Sequence, residues 1–225
     1  LNKTIKVLNK RNLISIPTET VYGLAGNAYS KIAVEKIFKL KGRPKFNPLI
    51  IHYYNVQRAL NDVVINDNFK KLYKELCPGP ITFILKKNKN SNISPLASAS
   101  LKTIAIRFPK HKISRSILKK INYPLAMPSA IVSSSVSPVS AEDVSDEFKK
   151  KLKFILNGGK SKIGIESTVI DLTGKPNILR PGIIGTDLIN KIKKTKINIL
   201  KKNLKITSPG MQKKHYSPGI PIILN

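Results

Sequence analysis

One stretch constrains this chain more than any other: an apolar run that ends in Pro17 and passes straight into hydroxyl side chains, one carboxylate and two glycines. Residues 16–28 read I-P-T-E-T-V-Y-G-L-A-G-N-A. This is the pattern of a buried strand opening into a polar, tightly turning loop, and a rigid strand end that presents polar atoms is a common place for a site. Taken alone, the stretch reads equally well as a capped strand-to-turn junction.

The same grammar recurs along the chain. After a short basic segment, 1–13, the first strand is expected at 13–16. Ser30 can cap a helix whose apolar positions Ile32, Ala33, Ile37, Phe38 and Leu40 share a face, and Gly42 stops it. The basic loop K-G-R-P-K-F-N-P then feeds a β-branched strand over 49–53. A second helix fits 66–76, where Phe69, Leu72, Tyr73 and Leu76 recur at helical spacing, and Pro78-Gly79-Pro80 ends it. A strand over 81–86 precedes a Lys, Asn and Ser-rich loop, 87–100, expected to be the mobile stretch of the domain.

The strand over 103–108 carries Arg107 inside an apolar run, so that side chain either meets solvent or reaches an anion in a cleft. A helix over 113–121 and a strand over 125–127 lead into the serine-rich segment P-S-A-I-V-S-S-S-V-S-P-V-S. S-A-E-D from Ser140 resembles a capping box ahead of a basic helix to about residue 152. Short strands follow at 154–156, in I-G-I-E-S-T-V-I-D-L-T and up to I-L-R-P-G, and Thr186 and Asp187 can cap a last helix to about residue 194. Strands alternating with helices predict an α/β fold with a mixed sheet. No Gly-rich phosphate loop of the Walker or dinucleotide type occurs.

Composition narrows the class. With 225 residues the chain can build one large core plus an appended piece. No apolar run is long enough to cross a bilayer, and the single Cys77 cannot form an internal disulfide, so a soluble protein of a reducing, cytoplasmic compartment is expected. The formal net charge of +29 invites a polyanion. Yet only six of the 41 basic residues are Arg, and the lysines are spread over nearly every segment, as compositional drift would produce.

The segments P-T-E-T-V-Y-G-L, K-G-R-P-K-F-N-P-L-I-I-H, P-G-P-I-T, T-I-A-I-R-F-P, E-S-T-V-I-D-L and I-L-R-P-G occur in an order and spacing that resemble the YrdC-like threonylcarbamoyl-AMP synthases. The later S-P-G-M…H-Y-S-P resembles the linker of their long form, which carries a second C-terminal domain. The resemblance implies a twisted mixed α/β sheet with flanking helices around a concave basic cavity. It implies a catalytic domain over 1–205 and, over 206–225, a linker and the start of a further domain, so a truncated chain is expected.

The implied activity joins L-threonine, bicarbonate and ATP, with Mg²⁺, into threonylcarbamoyl-adenylate and pyrophosphate. The product would serve the modification of the adenosine beside the tRNA anticodon, with threonylcarbamoyl transferase proteins as partners. By motif position, Lys41 and Arg43 would be catalytic cations. Thr20, His52, Arg107, Met127 (through its backbone) and Ser167 would hold threonine or its carbamate. Arg43, Asn47, Thr103, Ser129, Ser137, Arg180 and His215 would hold ATP, with Tyr216 beside His215. A carbamate attacking a phosphate brings two anions together, so the demand falls on cations, not on a protein nucleophile. Glu19 is accordingly expected to order its loop, and Cys77 is not expected to react.

The chain departs from the family pattern where Ile131 replaces an Asn, Val139 a Thr, Ser134 a Gly and Cys77 a Trp, and the first two predict reduced activity. Two other readings stay open: a non-catalytic RNA-binding module or decayed paralogue, and a carbamoyl-adenylate domain of the hydrogenase-maturation type.

Overall fold

The computed structural model describes residues 1–132, 136–193 and, for the backbone alone, 198–199. Its core is a mixed sheet of ten strands among the described residues, with the spatial order β1-β2-β7-β3-β6-β5-β8-β9-β10 and β4 added against β5. The strands are β1 (Ile14–Ile16), β2 (Gly23–Asn27), β3 (Ile50–His52), β4 (Val63–Val64), β5 (Ile81–Lys87), β6 (Thr103–Arg107), β7 (Leu125–Ala126), β8 (Thr168–Asp171), β9 (Asn177–Arg180) and β10 (Asn198–Ile199). Six α-helices accompany them among the described residues: α1 (Asn2–Asn9), α2 (Lys31–Lys41), α3 (Asp67–Leu76), α4 (Lys112–Lys120), α5 (Ala141–Phe148) and α6 (Thr186–Lys193).

Side-chain alternation divides the central strands into two faces. Ile51, Phe83, Leu85, Ile104, Ile106 and Ile170 enter the main core, where they join Val34, Ile37 and Phe38 of α2, Phe69 and Leu72 of α3, and Ile189 of α6. On the other face, Ile50, Ile84, Ala105 and Val169 form a small apolar floor. His52 and Arg107 continue that face, set side by side by the parallel register His52↔Arg107, and the antiparallel register Thr82↔Arg107 adds Thr82. A one-residue slip would turn all three side chains into the opposite core. A third cluster, built on Leu8, Ile14, Ile16, Ile117, Leu118 and Leu125, packs α1 and α4 beside β1 and β7.

The expected helix boundaries are held by the expected chemistry. The Ser30 hydroxyl accepts the Ala33 amide, and Gly42 closes α2 at φ +58°, a left-handed conformation suited to glycine. Asn66 caps α3, and the capping box at Ser140 is complete, with Asp143 in the place of the usual Glu.

Four expectations change. The basic start is not an irregular lead-in: residues 2–9 form α1, anchored by buried Thr4 and Leu8 one turn apart. The opening polar segment is a hairpin, because the chain returns as β2 antiparallel to β1, so its two glycines lie inside a strand. Gly23 is required there by close packing, since a Cβ would lie 2.4 Å from Met127 Cγ. At 154–156 the only sheet pairing is a single bridge from Ile155 to Ser15, so this is not a full strand.

Residues 87–100 are not the loose loop that their composition predicts. Buried Asp62 accepts the Ser91 hydroxyl at 2.8 Å and the Asn92 amide at 3.1 Å, together with the phenols of Tyr29 and Tyr53. Ile93 and Ala97 enter the main core. No helix among the described residues is long and apolar enough to cross a membrane. The expected linker, 206–225, and with it His215 and Tyr216, lies outside the described residues.

Candidate functional site

Strand ends and the loops beyond them converge on one open cleft lined by polar and charged side chains. The β1–β2 hairpin supplies Thr18, Val21, Tyr22 and Gly23; the loop after α2 supplies Arg43; β3 and β6 supply Ile50, His52 and Arg107. Met127, Pro128 and Ser129 follow β7, while Glu166, Ser167 and Arg180 come from the start of β8 and the end of β9. Three guanidinium groups therefore face one space.

Arg107 is 4% exposed. Its Nη2 donates to Glu19 Oε1 at 2.6 Å, whereas its Nε is buried without a hydrogen-bond partner. The second Glu19 oxygen accepts the backbone amides of Lys110 and His111 at 2.9 and 3.3 Å. Burial alone would raise the Glu19 pKa, but the charge and hydrogen bond of Arg107 and the surrounding backbone donors bring it below the usual carboxylate range. Glu19 thus orders the hairpin and orients Arg107.

His52 is neutral. Burial and the adjacent Arg107 charge press its pKa down to about 3. Its Nδ1 lies 3.2 Å from the Ile50 carbonyl, and a hydrogen bond there needs the proton on Nδ1, because a carbonyl only accepts.

At the far side, Arg180 clasps the main chain of Ser167. Nε and Nη2 donate to its carbonyl at 3.1 and 2.9 Å, and Nη2 also reaches its hydroxyl at 3.1 Å. Nη1 pairs with Glu166. Ser167 Oγ lies 2.7 Å from Thr82 Oγ1, and Ser137 Oγ lies 3.3 Å from the other Glu166 oxygen. Gly182 makes this clasp possible: a Cβ there would come within 2.5 Å of Thr168 N and 2.7 Å of Glu166 O.

Arg43 is steered by its own loop, donating to Asn47 O at 3.1 Å, Asn47 Oδ1 at 2.6 Å and Pro48 O at 2.9 Å. Its pKa falls to about 10, because burial outweighs the Glu166 charge while Arg180 adds repulsion. Lys41 stands behind the cleft wall. At 2% exposure it donates to the Ser129 carbonyl at 2.6 Å and to that of Ile131. Burial and the Arg43 charge lower its pKa to about 7, against the opposing pull of Glu166 and Glu147.

Of the residues picked from sequence, Arg43, His52, Arg107, Met127, Ser129, Ser167 and Arg180 line the cleft together. Lys41, Asn47 and Ser137 adjoin it through the hydrogen bonds above. Thr20 sits one layer back, fully buried, with its hydroxyl 2.8 Å from Thr18 Oγ1. Because Thr18 Oγ1 donates its proton to Val21 O, Thr20 is the donor in that pair. Thr18, not Thr20, is among the residues that line the cleft.

Thr103 shares the face of Arg107 but stands at the other end of β6, about 13 Å away by strand rise. It is therefore not part of the convergent wall, and the apolar floor at Ala105 lies between. Thr18 and Glu166 are hydrogen-bonding lining residues that sequence reasoning passed over, although both stand inside motifs that carry the resemblance, Glu166 directly before Ser167. Ile131, at the position of the family's Asn, is 7% exposed and contributes its carbonyl to Lys41. The Cys77 thiol is pushed up to about 12 by burial and stays protonated. Among the described residues, no group of three or more His, Cys, Asp or Glu could hold a metal ion.

The Sua5/YciO/YrdC family model, described as "Telomere recombination", matches residues 6–182. The threonylcarbamoyl-AMP synthase of Pyrococcus abyssi is 38% identical over 226 residues, spanning 96% of this chain and 65% of that protein. The Bacillus subtilis synthase is 37% identical, spanning 97% and 64%. The chain thus covers just under two thirds of the length of these relatives. The structure of P. abyssi Sua5 complexed with L-threonine superposes with a TM-score of 0.91 at 37% identity, over 96% of this chain and 64% of that one. On its motifs, its fold and these matches, the chain belongs to the Sua5/YciO/YrdC family.

Proposed function

We propose that this chain forms threonylcarbamoyl-AMP and pyrophosphate from L-threonine, bicarbonate and ATP. The observation that carries this reading is Arg107, fixed by Glu19 and paired in register with neutral His52, yet left with a buried Nε lacking an acceptor. A buried orphan donor costs about 1–3 kcal/mol, which a substrate carboxylate would offset. The P. abyssi Sua5 solved with L-threonine supports assigning that carboxylate to threonine.

In the proposed reaction, the threonine amine and bicarbonate give a carbamate and water. A carbamate oxygen then attacks the α-phosphorus, and the bond to the bridging β-phosphate oxygen breaks, releasing pyrophosphate. Arg107 and neutral His52 would hold the threonine part, with the Met127 backbone, Ser167 and the Thr18–Thr20 turn completing that end. Arg43 and Arg180 would face the phosphates, with Asn47 steering Arg43 and Ser129 and Ser137 nearby. Lys41 would act by latching the loop at Ser129 to Ile131. Thr103 and His215 remain proposals for the outer reach of the nucleotide.

Mg²⁺ is proposed to arrive on the ATP, whose phosphate charge it would neutralise. Glu166 is the one carboxylate in the cleft lining, which suits a metal held chiefly by phosphates. A cytoplasmic setting, and transfer of the product to tRNA by threonylcarbamoyl transferase proteins, complete the proposal.

Incubation with ATP, threonine and bicarbonate should yield the adenylate by mass and pyrophosphate release that needs all three. No adenylate from folded protein would overturn the reading. The net charge of +29 favours a second one, RNA binding without turnover. RNA affinity that is lost at modest salt and ignores threonine would mark it.

A further inference from the structure

Arg180 has five N–H donors, and the structure accounts for most of them. Nε and Nη2 serve the Ser167 main chain and hydroxyl, and one Nη1 hydrogen goes to Glu166. The Ser167 bonds belong to the turn that shapes the cleft. The Glu166 bond is different, because it pairs Arg180 with a charged side chain of the cleft lining, whose other carboxylate oxygen has the Ser137 hydroxyl at 3.3 Å. The same carboxylate is felt by Arg43 and Lys41, so one internal anion sits among three cations. Glu19, by comparison, is locked by two backbone amides and leaves Arg107 Nε unoccupied.

We propose that Glu166 is an internal counter-anion, occupying on Arg180 the position a phosphate takes and setting the threshold of negative charge a ligand needs to displace it. A lone carboxylate would exchange like for like and gain little. A polyphosphate reaching both Arg43 and Arg180 replaces one acceptor with several charged ones and prevails. Glu166 would thus be a specificity-determining residue, favouring nucleotide triphosphate over the abundant monoanions of the cell, and holding the cations in place until it arrives. This rests on the proposed nucleotide reading only for the identity of the natural ligand.

The test uses pyrophosphate as probe, in chelator and without turnover, by calorimetry on the 225-residue chain and on Glu166→Gln. Removal of the competing charge should tighten pyrophosphate binding about tenfold, with threonine affinity at the Arg107 end changed less than twofold. Unchanged or weaker pyrophosphate binding in the folded variant overturns the inference. Should Glu166→Gln melt early, Glu166→Ser carries the same expectation, and circular dichroism verifies its fold. Failure to detect an adenylate, with tighter pyrophosphate binding in the variant, would sink the synthase reading and leave this inference standing; the converse pattern would do the reverse.

Discussion

Arg180 is folded back onto Ser167, giving two hydrogen bonds to its carbonyl and one to its hydroxyl, so the guanidinium is both a wall of the cleft and a fastener of β8 to β9. A point charge cannot reproduce that fork. Arg180→Lys should therefore lower kcat/KM for ATP by about a hundredfold and cost about 1–3 kcal/mol of stability. Steady-state pyrophosphate release and a urea titration read the two effects, and a variant with wild-type kinetics would remove Arg180 from the proposed nucleotide site.

Gly182 tests the same clasp from the backbone. A methyl group there meets main-chain atoms, which cannot rotate away, so Gly182→Ala should destabilise the chain by about 1–3 kcal/mol. ATP affinity should fall more than threonine affinity, because the displaced turn carries Arg180. Gly174, with nothing within 4 Å of a Cβ, is the control, and Gly174→Ala should leave both affinities unchanged.

How much of this was readable in advance divides along physical lines. Ser30, Gly42 and Ser140 announced their helices because caps are local chemistry, decided within a turn of chain. Arg43, His52, Arg107 and Arg180 announced the cleft through motif resemblance. The hairpin return at Gly23 was hidden, since two glycines read as a turn until Met127 is known to press on one of them. The firmness of residues 87–100 was hidden for a similar reason: their polar composition describes a loop, and the anchor, Asp62, lies a quarter of a hundred residues upstream. Thr18 and Thr20 could not be ranked by sequence, because which of them lines the cleft depends on the turn that the Thr18 hydroxyl itself closes.

Asp62 supplies the next expectation. It gathers two phenols, one hydroxyl and one amide at a buried point, so Asp62→Ala should leave several of these donors unsatisfied and cost about 3–5 kcal/mol. Limited proteolysis should then cut first within 87–100, and an uncut loop in the variant would refute the anchoring role.

His52 gives a pH dependence whose sign can be worked out. Its folded pKa of about 3 lies below the unfolded 6.5, so between these values the unfolded chain binds a proton that the native chain does not. Stability is therefore lost as pH falls below about 6.5 and goes on falling to about 3. His111, shifted in the same direction, and Glu19, lowered from 4.5, add to the loss in acid. Melting temperatures from pH 3 to 7 should fall less steeply in His52→Gln, and equal slopes would show that the ring is not buried neutral.

Lys41 behaves in the same sense at higher pH. The native group releases its proton above about 7 while the unfolded one holds it to 10.5, so stability should rise across that window. Lys41→Met should abolish the rise and, by freeing the carbonyls of Ser129 and Ile131, reduce turnover by about a hundredfold or more. Retained turnover in a folded Lys41→Met chain would refute the latch.

The cleft walls are drawn from nearly the whole described length, from Thr18 in the first hairpin to Arg180 at the end of β9, and no contiguous half of the chain contains a complete set. Such a site cannot exist in a partly folded intermediate. Its appearance during refolding should coincide with the docking of β9 on β8, the last of these strands to leave the ribosome, so a ligand acquired there reports completion of the fold and, by mass action, reinforces it.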